Sequence, residues 1–190
     1  MPSSKTNQQE TAFIFISPLN RQKGVMQLGQ WRCSLSLGRS GTRYAKREGD
    51  GATPVTDLRP LRLFLRPDKT GFRPLSPHSF HFIRKNQGWC DAITHSAYNR
   101  LVQLPFSQSH EEMWRQDALY DAVLETNWNT CPRVIGHGSA IFIHLQRSDC
   151  GPTAGCLAFN PRDLRLLLQK LPKIRAFRIQ PANRKPKKKQ

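Results

Sequence analysis

The chain has 190 residues, which suits one domain with a substantial core and is too short for two full domains. Thirty Lys and Arg residues against 13 Asp and Glu residues give a formal net charge of +17. No segment approaches 18 consecutive apolar residues, so the sequence excludes a membrane-spanning helix. The five cysteines are an odd number without a repeating spacing, which argues against a small domain stapled by disulfides.

The charge is concentrated at the C-terminal end. Residues 164–190 contain ten basic side chains and no acidic one. Residues 181–190 therefore form a predicted disordered basic tail, which would attract polyanions such as nucleic acid, anionic lipid or an acidic wall polymer. Alternatively, the tail only keeps a basic protein soluble. Residues 1–10 are polar and predicted to be loose, and they show no recognisable signal peptide.

Short apolar segments divided by turn residues predict β-strands along residues 11–180. These segments are residues 12–16, 25–28, 31–37, 58–65, 80–83, 119–124, 140–145 and 174–179. Those at residues 31–37, 58–65 and 174–179 also alternate between apolar and polar side chains. The glycine-rich residues 38–54 predict a long loop, either an ordered binding loop or a flexible one. Residues 84–117 have no regular period and predict irregular structure. Together these segments predict one mainly β domain, a β-sandwich.

One helix is predicted after residue 160. Asn160 is a suitable N-cap, Pro161 suits the first helical position, and Asp163 places a negative charge in the first turn. Apolar residues follow at helical spacing, and Pro172 ends the run. These apolar residues are Leu164, Leu167, Leu168 and Leu171.

The most informative stretch lies just before this helix. A β-branched and aromatic strand leads into His144, and Cys156 follows Gly155 after a polar loop. A histidine within reach of a cysteine can take the thiol proton or pair with the thiolate. Gly155 permits a tight turn whose N–H groups can hold an oxyanion. The alternative is that Cys156 is a small buried apolar residue, as most cysteines are.

A zinc site is a second alternative, because His137, His144, Cys150 and Cys156 are suitable ligands. The chain has no C-x-x-C pair, and the odd spacing of the two histidines would point them to opposite faces of a strand. Ser139 lacks the surroundings of a triad serine, and no phosphate-binding or dinucleotide-binding glycine motif is present. We therefore predict no metal and no cofactor.

Several ordered motifs distributed over residues 30–172 resemble one family. The motifs are KREGDGATP (46–54), GWCD (88–91), YNR (98–100), SHEEMWRQD (109–117), LYD (119–121), GSAIFIH (138–144) and PTAGC (152–156). In these motifs the chain is similar to the YkuD-type L,D-transpeptidase catalytic domain of proteobacteria. The resemblance implies a β-sandwich for residues 11–180, with one short helix after the nucleophile.

The resemblance also implies a mechanism. Cys156 would be the nucleophile, and His144 the proton acceptor and donor, oriented by a backbone carbonyl. The N–H groups of Ala154, Gly155 and Cys156 would form the oxyanion hole. Such enzymes hold a peptidoglycan stem peptide as a thioester and pass it to the side-chain amine of diaminopimelate on a second stem. Water as the acceptor would instead make the protein an L,D-carboxypeptidase.

The chain departs from the common family motif in three ways. His144 precedes Cys156 by 12 residues, whereas the common spacing is longer. Ala154 stands where the common motif has histidine, and Ala158 stands where it has Arg or Asn. Because these polar groups are missing from the cleft, the acyl donor can be either diaminopimelate at stem position 3 or L-alanine at position 1. A shorter-motif branch of the family resembles this chain and implies position 1.

Five residues are candidate substrate contacts. They are Arg100, Arg115, His110, Tyr120 and Thr153. The planar guanidinium of an arginine matches a stem-peptide carboxylate, but either arginine can equally pair with Asp91 or Asp117. His110 can be purely structural, and one of Tyr120 and Asp121 should face the core.

The expected function is therefore peptidoglycan cross-linking in cell-wall biogenesis and the maintenance of cell shape. The expected partners are stem peptides, with the tail on an anionic wall polymer or membrane surface, and no specific nucleic acid is expected. The substrate implies a periplasmic or wall-associated location. The alternative is a basic module that binds nucleic acid or an anionic membrane without catalysis.

Overall fold

The structure, a computed structural model, describes residues 9–73 and 80–181. Within these residues it contains fifteen β-strands, one α-helix and two single-turn 3-10 helices at Thr70–Phe72 and Leu171–Lys173. The strands are β1 Glu10–Ile16, β2 Lys23–Leu28, β3 Trp31–Ser36, β4 Thr42–Arg43, β5 Thr53–Pro54, β6 Asp57–Leu58, β7 Pro60–Leu65, β8 Phe80–Phe82, β9 Gln87–Cys90, β10 Arg100–Gln103, β11 His110–Glu112, β12 Ala122–Thr126, β13 Phe142–Leu145, β14 Leu157–Phe159 and β15 Ile174–Ile179. The helix is α1, Pro161–Lys170. The predicted mainly β fold with one short helix after Cys156 is confirmed.

Ten strands form one large curled sheet in the order β6-β15-β1-β2-β3-β14-β13-β12-β7-β8. The pairs β1–β15, β13–β14 and β7–β8 are parallel, and the other neighbours are antiparallel. β15 and β7 also contact each other, although six strands separate them in the sheet order. The sheet therefore curls around its core.

The centre of the large sheet is covered on both faces. On one face the helix residues Leu167 and Leu168 share a core with Ile143, Leu157 and Phe159. On the other face the three-stranded sheet β10-β9-β11 packs over β7, β12 and β13. Because strand side chains alternate, residues of β13 enter the two cores in turn, which gives the sandwich-like layering.

Several parts of the chain differ from the sequence-based expectation. Residues 84–117, predicted to be irregular, contain β9, β10 and β11. These strands are rich in polar and aromatic residues, and their alternation is too short to recognise without their partners. β14 was also not predicted, since it has only three residues, all of them buried. Glu10, placed in the loose N-terminus, instead begins β1 and pairs with Ile174.

The remaining terminal predictions fall largely outside the described residues. Residues 1–8 of the predicted loose N-terminus and residues 182–190 of the predicted basic tail lie there. In the part of the chain that the structure describes, no helix is long and apolar enough to cross a membrane.

The predicted N-cap is confirmed and gives a stability test. The Asn160 side chain accepts a hydrogen bond from the Asp163 N–H at 2.9 Å and donates one to the Asp163 carboxylate at 2.6 Å. We expect Asn160→Ala to lower the free energy of unfolding by about 1 kcal/mol, because the first helical turn loses an acceptor for its N–H groups. Urea unfolding measures this change.

The exposed helix residue Gln169 is the matched control, and Gln169→Ala should change the free energy of unfolding by less than about 0.5 kcal/mol. Equal destabilisation by the two variants would contradict the assignment of the cap.

Candidate active site

The parallel pairing of β13 with β14 brings His144 and Cys156 to the same face of the large sheet. Ile143 is paired with Leu157, and His144 with Ala158. Cys156 therefore lies one step before β14, beside Phe142, whose N–H donates to its Sγ at 3.3 Å. Since side chains alternate along a strand, the imidazole and the thiol face the same side.

A cavity of about 770 Å³ opens at this face. Most of the predicted site residues line it, in four groups from separate parts of the chain. They are residues 152–156, which include Cys156, then His144, Tyr120, and the segment with His110 and Arg115. The structure thus brings these groups together at one cavity.

Arg100 is the exception. It lies in β10 at a different cavity, together with Arg62, Arg133 and Glu125. Its predicted contact with the substrate of Cys156 is therefore wrong for this site. The match between a guanidinium and a carboxylate describes what an arginine can bind, and it contains no information about where β10 places that arginine.

His144 is held in a defined tautomer. Its Nδ1 lies 2.7 Å from the Leu145 carbonyl oxygen, and because a carbonyl only accepts, Nδ1 carries the proton. The Nε2 lone pair is then free to take a proton from another group. The Leu145 oxygen supplies the orienting carbonyl that the sequence left unassigned.

The surroundings of His144 keep it neutral. Its side chain is only 6% exposed, and the Tyr120 ring packs edge-on against it with 5.2 Å between ring centres. Burial lowers the pKa of His144 to about 4, partly offset by the hydrogen bond with Leu145. His144 is consequently an uncharged base at neutral pH.

The Cys156 thiol is also uncharged at neutral pH. Burial raises its pKa to about 12, and the negative charge of Glu111 adds to the rise. The Phe142 N–H and the positive charge of Lys46 act in the opposite direction. The site therefore holds a neutral thiol beside a neutral imidazole, and proton transfer must accompany any attack by sulfur.

The loop before Cys156 has a strained shape that glycine permits. Gly155 has a φ of +143°, and a Cβ there would lie 2.8 Å from the Ala52 carbonyl oxygen. The Thr153 hydroxyl accepts from the Gly155 N–H at 3.0 Å and donates to the Cys156 carbonyl at 2.7 Å. Of the predicted oxyanion donors, Gly155 thus already has a partner, and Ala154 lines the cavity.

The glycine-rich residues 46–54 are hydrogen-bonded to this loop and also contribute to the lining of the cavity. The Thr53 hydroxyl donates to the Gly155 carbonyl oxygen at 2.8 Å and accepts from the Gly38 N–H at 2.9 Å. Within the segment, the buried Lys46 ammonium donates to Asp50 at 2.8 Å. These residues are therefore an ordered part of the site, which decides between the two expectations for the segment.

Glu48 connects the same segment to the loop that precedes β13. Its carboxylate accepts from the Ser139 N–H and from the Tyr98 hydroxyl, both at 2.6 Å. Neither Glu48 nor Lys46 was predicted from the sequence to have a role of its own. Their only signal was their place in the KREGDGATP motif.

Another part of the cavity lining, in residues 110–117, carries charged side chains. The Arg115 guanidinium forms two hydrogen bonds with Asp117, at 2.9 and 2.5 Å, and lies 3.5 Å from the Glu111 carboxylate. The pairing of Arg115 with Asp117, left open by the sequence, is thus observed. The His110 Nδ1 donates to the Gln108 carbonyl oxygen at 2.7 Å, so only its other nitrogen is available to a ligand.

The four proposed zinc ligands do not assemble. His137 and Cys150 are exposed and do not line the cavity of His144 and Cys156. Among the residues that the structure describes, no group of three or more His, Cys, Asp and Glu side chains is placed to hold a metal ion.

No protein-family model, no curated protein and no solved structure matches this chain significantly. The assignment of a function therefore depends on the sequence motifs and on the geometry of this cavity.

The raised pKa of Cys156 predicts how it reacts with iodoacetamide. Only the thiolate is alkylated, and well below a pKa of about 12 the thiolate fraction rises about tenfold with each pH unit. We expect the alkylation rate of Cys156, followed by mass spectrometry of its peptide, to rise in this way from pH 7 to pH 10. A rate that is constant above pH 8 would show a preformed thiolate instead.

Proposed function

We propose that the protein is a cysteine acyltransferase in which Cys156 is the nucleophile and His144 the base. The observation that supports this best is the placement of the two side chains on one face of adjacent parallel strands, in one cavity. The Leu145 carbonyl adds to it, because it leaves Nε2 of His144 unprotonated. A purely structural cysteine would need neither a facing base nor access to a cavity.

The proposed acylation step moves one proton through His144. Nε2 takes the thiol proton of Cys156 as sulfur attacks a peptide carbonyl carbon, and the carbonyl oxygen becomes an oxyanion. The N–H groups of Ala154 and Cys156 stabilise that charge, whereas the Gly155 N–H is already bonded to the Thr153 hydroxyl. The intermediate collapses when the imidazolium gives its proton to the leaving amine. The products are a thioester on Cys156, a free amine and neutral His144.

The second step reverses the roles. A neutral amine attacks the thioester carbonyl, His144 accepts one of its protons, and the proton is returned to the departing sulfur. An amide forms, and the free thiol is restored. Water in place of the amine would release a carboxylic acid, which is the lesser alternative of an L,D-carboxypeptidase.

Peptidoglycan stem peptides are the substrate class that we propose, on the strength of the family motifs. The chain would then act as an L,D-transpeptidase outside the cytoplasmic membrane, in the periplasm or at the wall. Ala154 and Ala158 both line the cavity, so their small side chains leave space beside the thiol. The donor is accordingly proposed as either diaminopimelate at position 3 or L-alanine at position 1.

The second candidate function is a basic module that binds nucleic acid or anionic membranes. The net charge of +17 favours it. This charge equally suits a wall polymer that is rich in carboxylates. The binding function offers no reason for a buried histidine and a cysteine to share a cavity, so we prefer the acyltransferase.

Removal of the thiol should abolish cross-linking. Purified protein incubated with disaccharide-tetrapeptides and with disaccharide-pentapeptides should give cross-linked dimers, and Cys156→Ala should give none, because no thioester can form. Tandem mass spectrometry of the dimers identifies the donor residue. Cys150→Ala is the matched control, since Cys150 is exposed and outside the cavity. Dimer formation by Cys156→Ala at the wild-type rate would refute the mechanism.

The lowered pKa of His144 predicts the acid limit of acylation. The reactive form is the neutral imidazole, which persists until the pH falls to about 4. We therefore expect the rate constant for acylation of Cys156 to be nearly constant between pH 8 and pH 5 and to fall below that. Rapid-quench mass spectrometry measures it. A decline centred near pH 6.5, the ordinary pKa of histidine, would contradict the buried neutral state.

A further inference from the structure

Several carboxylates line the cavity, and the proposed acylation uses none of them. Glu111 is the one whose charge acts on the Cys156 thiol. Glu111 lies in β11 and lines the cavity together with Cys156 and His144. β11 pairs with β9 so that Glu111 is opposite Trp89, and the Trp89 ring packs edge-on against Phe142 at 5.0 Å. Phe142 in turn contacts the sulfur of Cys156. The three-stranded sheet thus fixes the Glu111 backbone relative to the nucleophile.

Glu111 has an incompletely neutralised charge. Its neighbour Arg115 is engaged by two hydrogen bonds with Asp117 and lies 3.5 Å from the Glu111 carboxylate. One guanidinium among two carboxylates leaves a net charge of −1 when all three groups are ionised. Burial raises the pKa of Glu111, and the hydrogen bond from the Tyr120 hydroxyl and the charge of Arg115 act in the opposite direction. The Glu111 side chain is 42% exposed, so its carboxylate is accessible to a ligand in the cavity that it lines.

This charge opposes the first chemical step. A negative charge near Cys156 disfavours the thiolate, and the field of Glu111 does raise the pKa of the thiol. The same charge would favour a cation in the cavity. In acyl transfer, the second substrate is an amine, which carries a positive charge in neutral water.

We propose that Glu111 binds the ammonium group of the acceptor and so selects an amine over water for attack on the thioester. This inference rests on the proposed acyltransferase function. In the bound state Glu111 accepts one ammonium proton, which leaves a neutral amine. A second proton passes to His144 during attack and then to the sulfur of Cys156, and the third stays on the new amide nitrogen. Glu111 releases its proton to water after the product leaves.

The test compares acceptors of different charge on the same thioester. Wild type, Glu111→Gln and Glu112→Gln are acylated with a stem-peptide donor at pH 8. Each is then offered a stem peptide with a free side-chain amine, hydroxylamine, or water alone. Hydroxylamine is a largely uncharged nucleophile at this pH, so a carboxylate is not needed to bind it. Its reaction therefore shows whether the thioester is still formed and still reactive in each variant. Glu112 is the matched control. It lines the same cavity with the same charge at the next position of β11, where strand alternation turns its side chain away from that of Glu111. It therefore separates the position of Glu111 from the effect of any negative charge in the cavity.

We expect Glu111→Gln to lower the ratio of amide product to hydrolysis at least about tenfold for the charged acceptor, because a charge-assisted contact is lost. Trapping by hydroxylamine should stay within about twofold of wild type, and Glu112→Gln should resemble wild type with every acceptor. This combination supports Glu111 as the acceptor-binding residue.

Three outcomes would overturn the inference and leave the acyltransferase in place. They are an unchanged ratio in Glu111→Gln, an equal loss with all three acceptors, and an equal loss in Glu112→Gln. If wild-type Cys156 forms no thioester with any donor, the proposed function itself fails, and that result is distinct from the other three.

Discussion

The pairing of β13 with β14 is the constraint on which the candidate site depends. His144 and Cys156 are separated by 12 residues in sequence. The parallel register, with Ile143 opposite Leu157, places them on the same face. A shift of one residue would turn the thiol toward the core shared with α1, since strand side chains alternate. Both strands are buried on both faces, and the buried Ile143 and Leu157 therefore stabilise the register that the site requires.

The charges around this pair would affect the two steps of the proposed acyl transfer in different ways. Burial keeps both the imidazole and the thiol neutral, so sulfur becomes nucleophilic only as His144 takes its proton. Glu111 hinders a free thiolate but favours a cationic acceptor. Such a site would react slowly with general electrophiles, and it would be selective once a thioester has formed. Residues 46–54 add rigidity through Thr53 and the strained Gly155 loop.

The sequence correctly predicted the elements whose formation is indicated by residues close together in the chain. The Asn160 cap, the leucine spacing of α1 and the alternation in β3 and β15 need no distant partner to be recognised. The three-stranded sheet was missed because its segments are polar, and they become strands only by pairing with one another. Motifs indicated Cys156 and His144, whereas the Leu145 carbonyl and the role of Glu111 follow from three-dimensional placement. Arg100 shows the same limit, because its chemistry was suitable but its location was not.

The central claim is that Cys156 carries the acyl group in a covalent intermediate. Direct detection requires a stem-peptide donor without an acceptor, acid quenching within seconds, and peptide mapping by mass spectrometry. The account predicts a mass increase equal to the acyl fragment on the peptide that contains Cys156, and loss of that increase with hydroxylamine, as expected for a thioester. An acyl group found on Cys150, on Ser139 or on no residue, while cross-linked product accumulates, would contradict it.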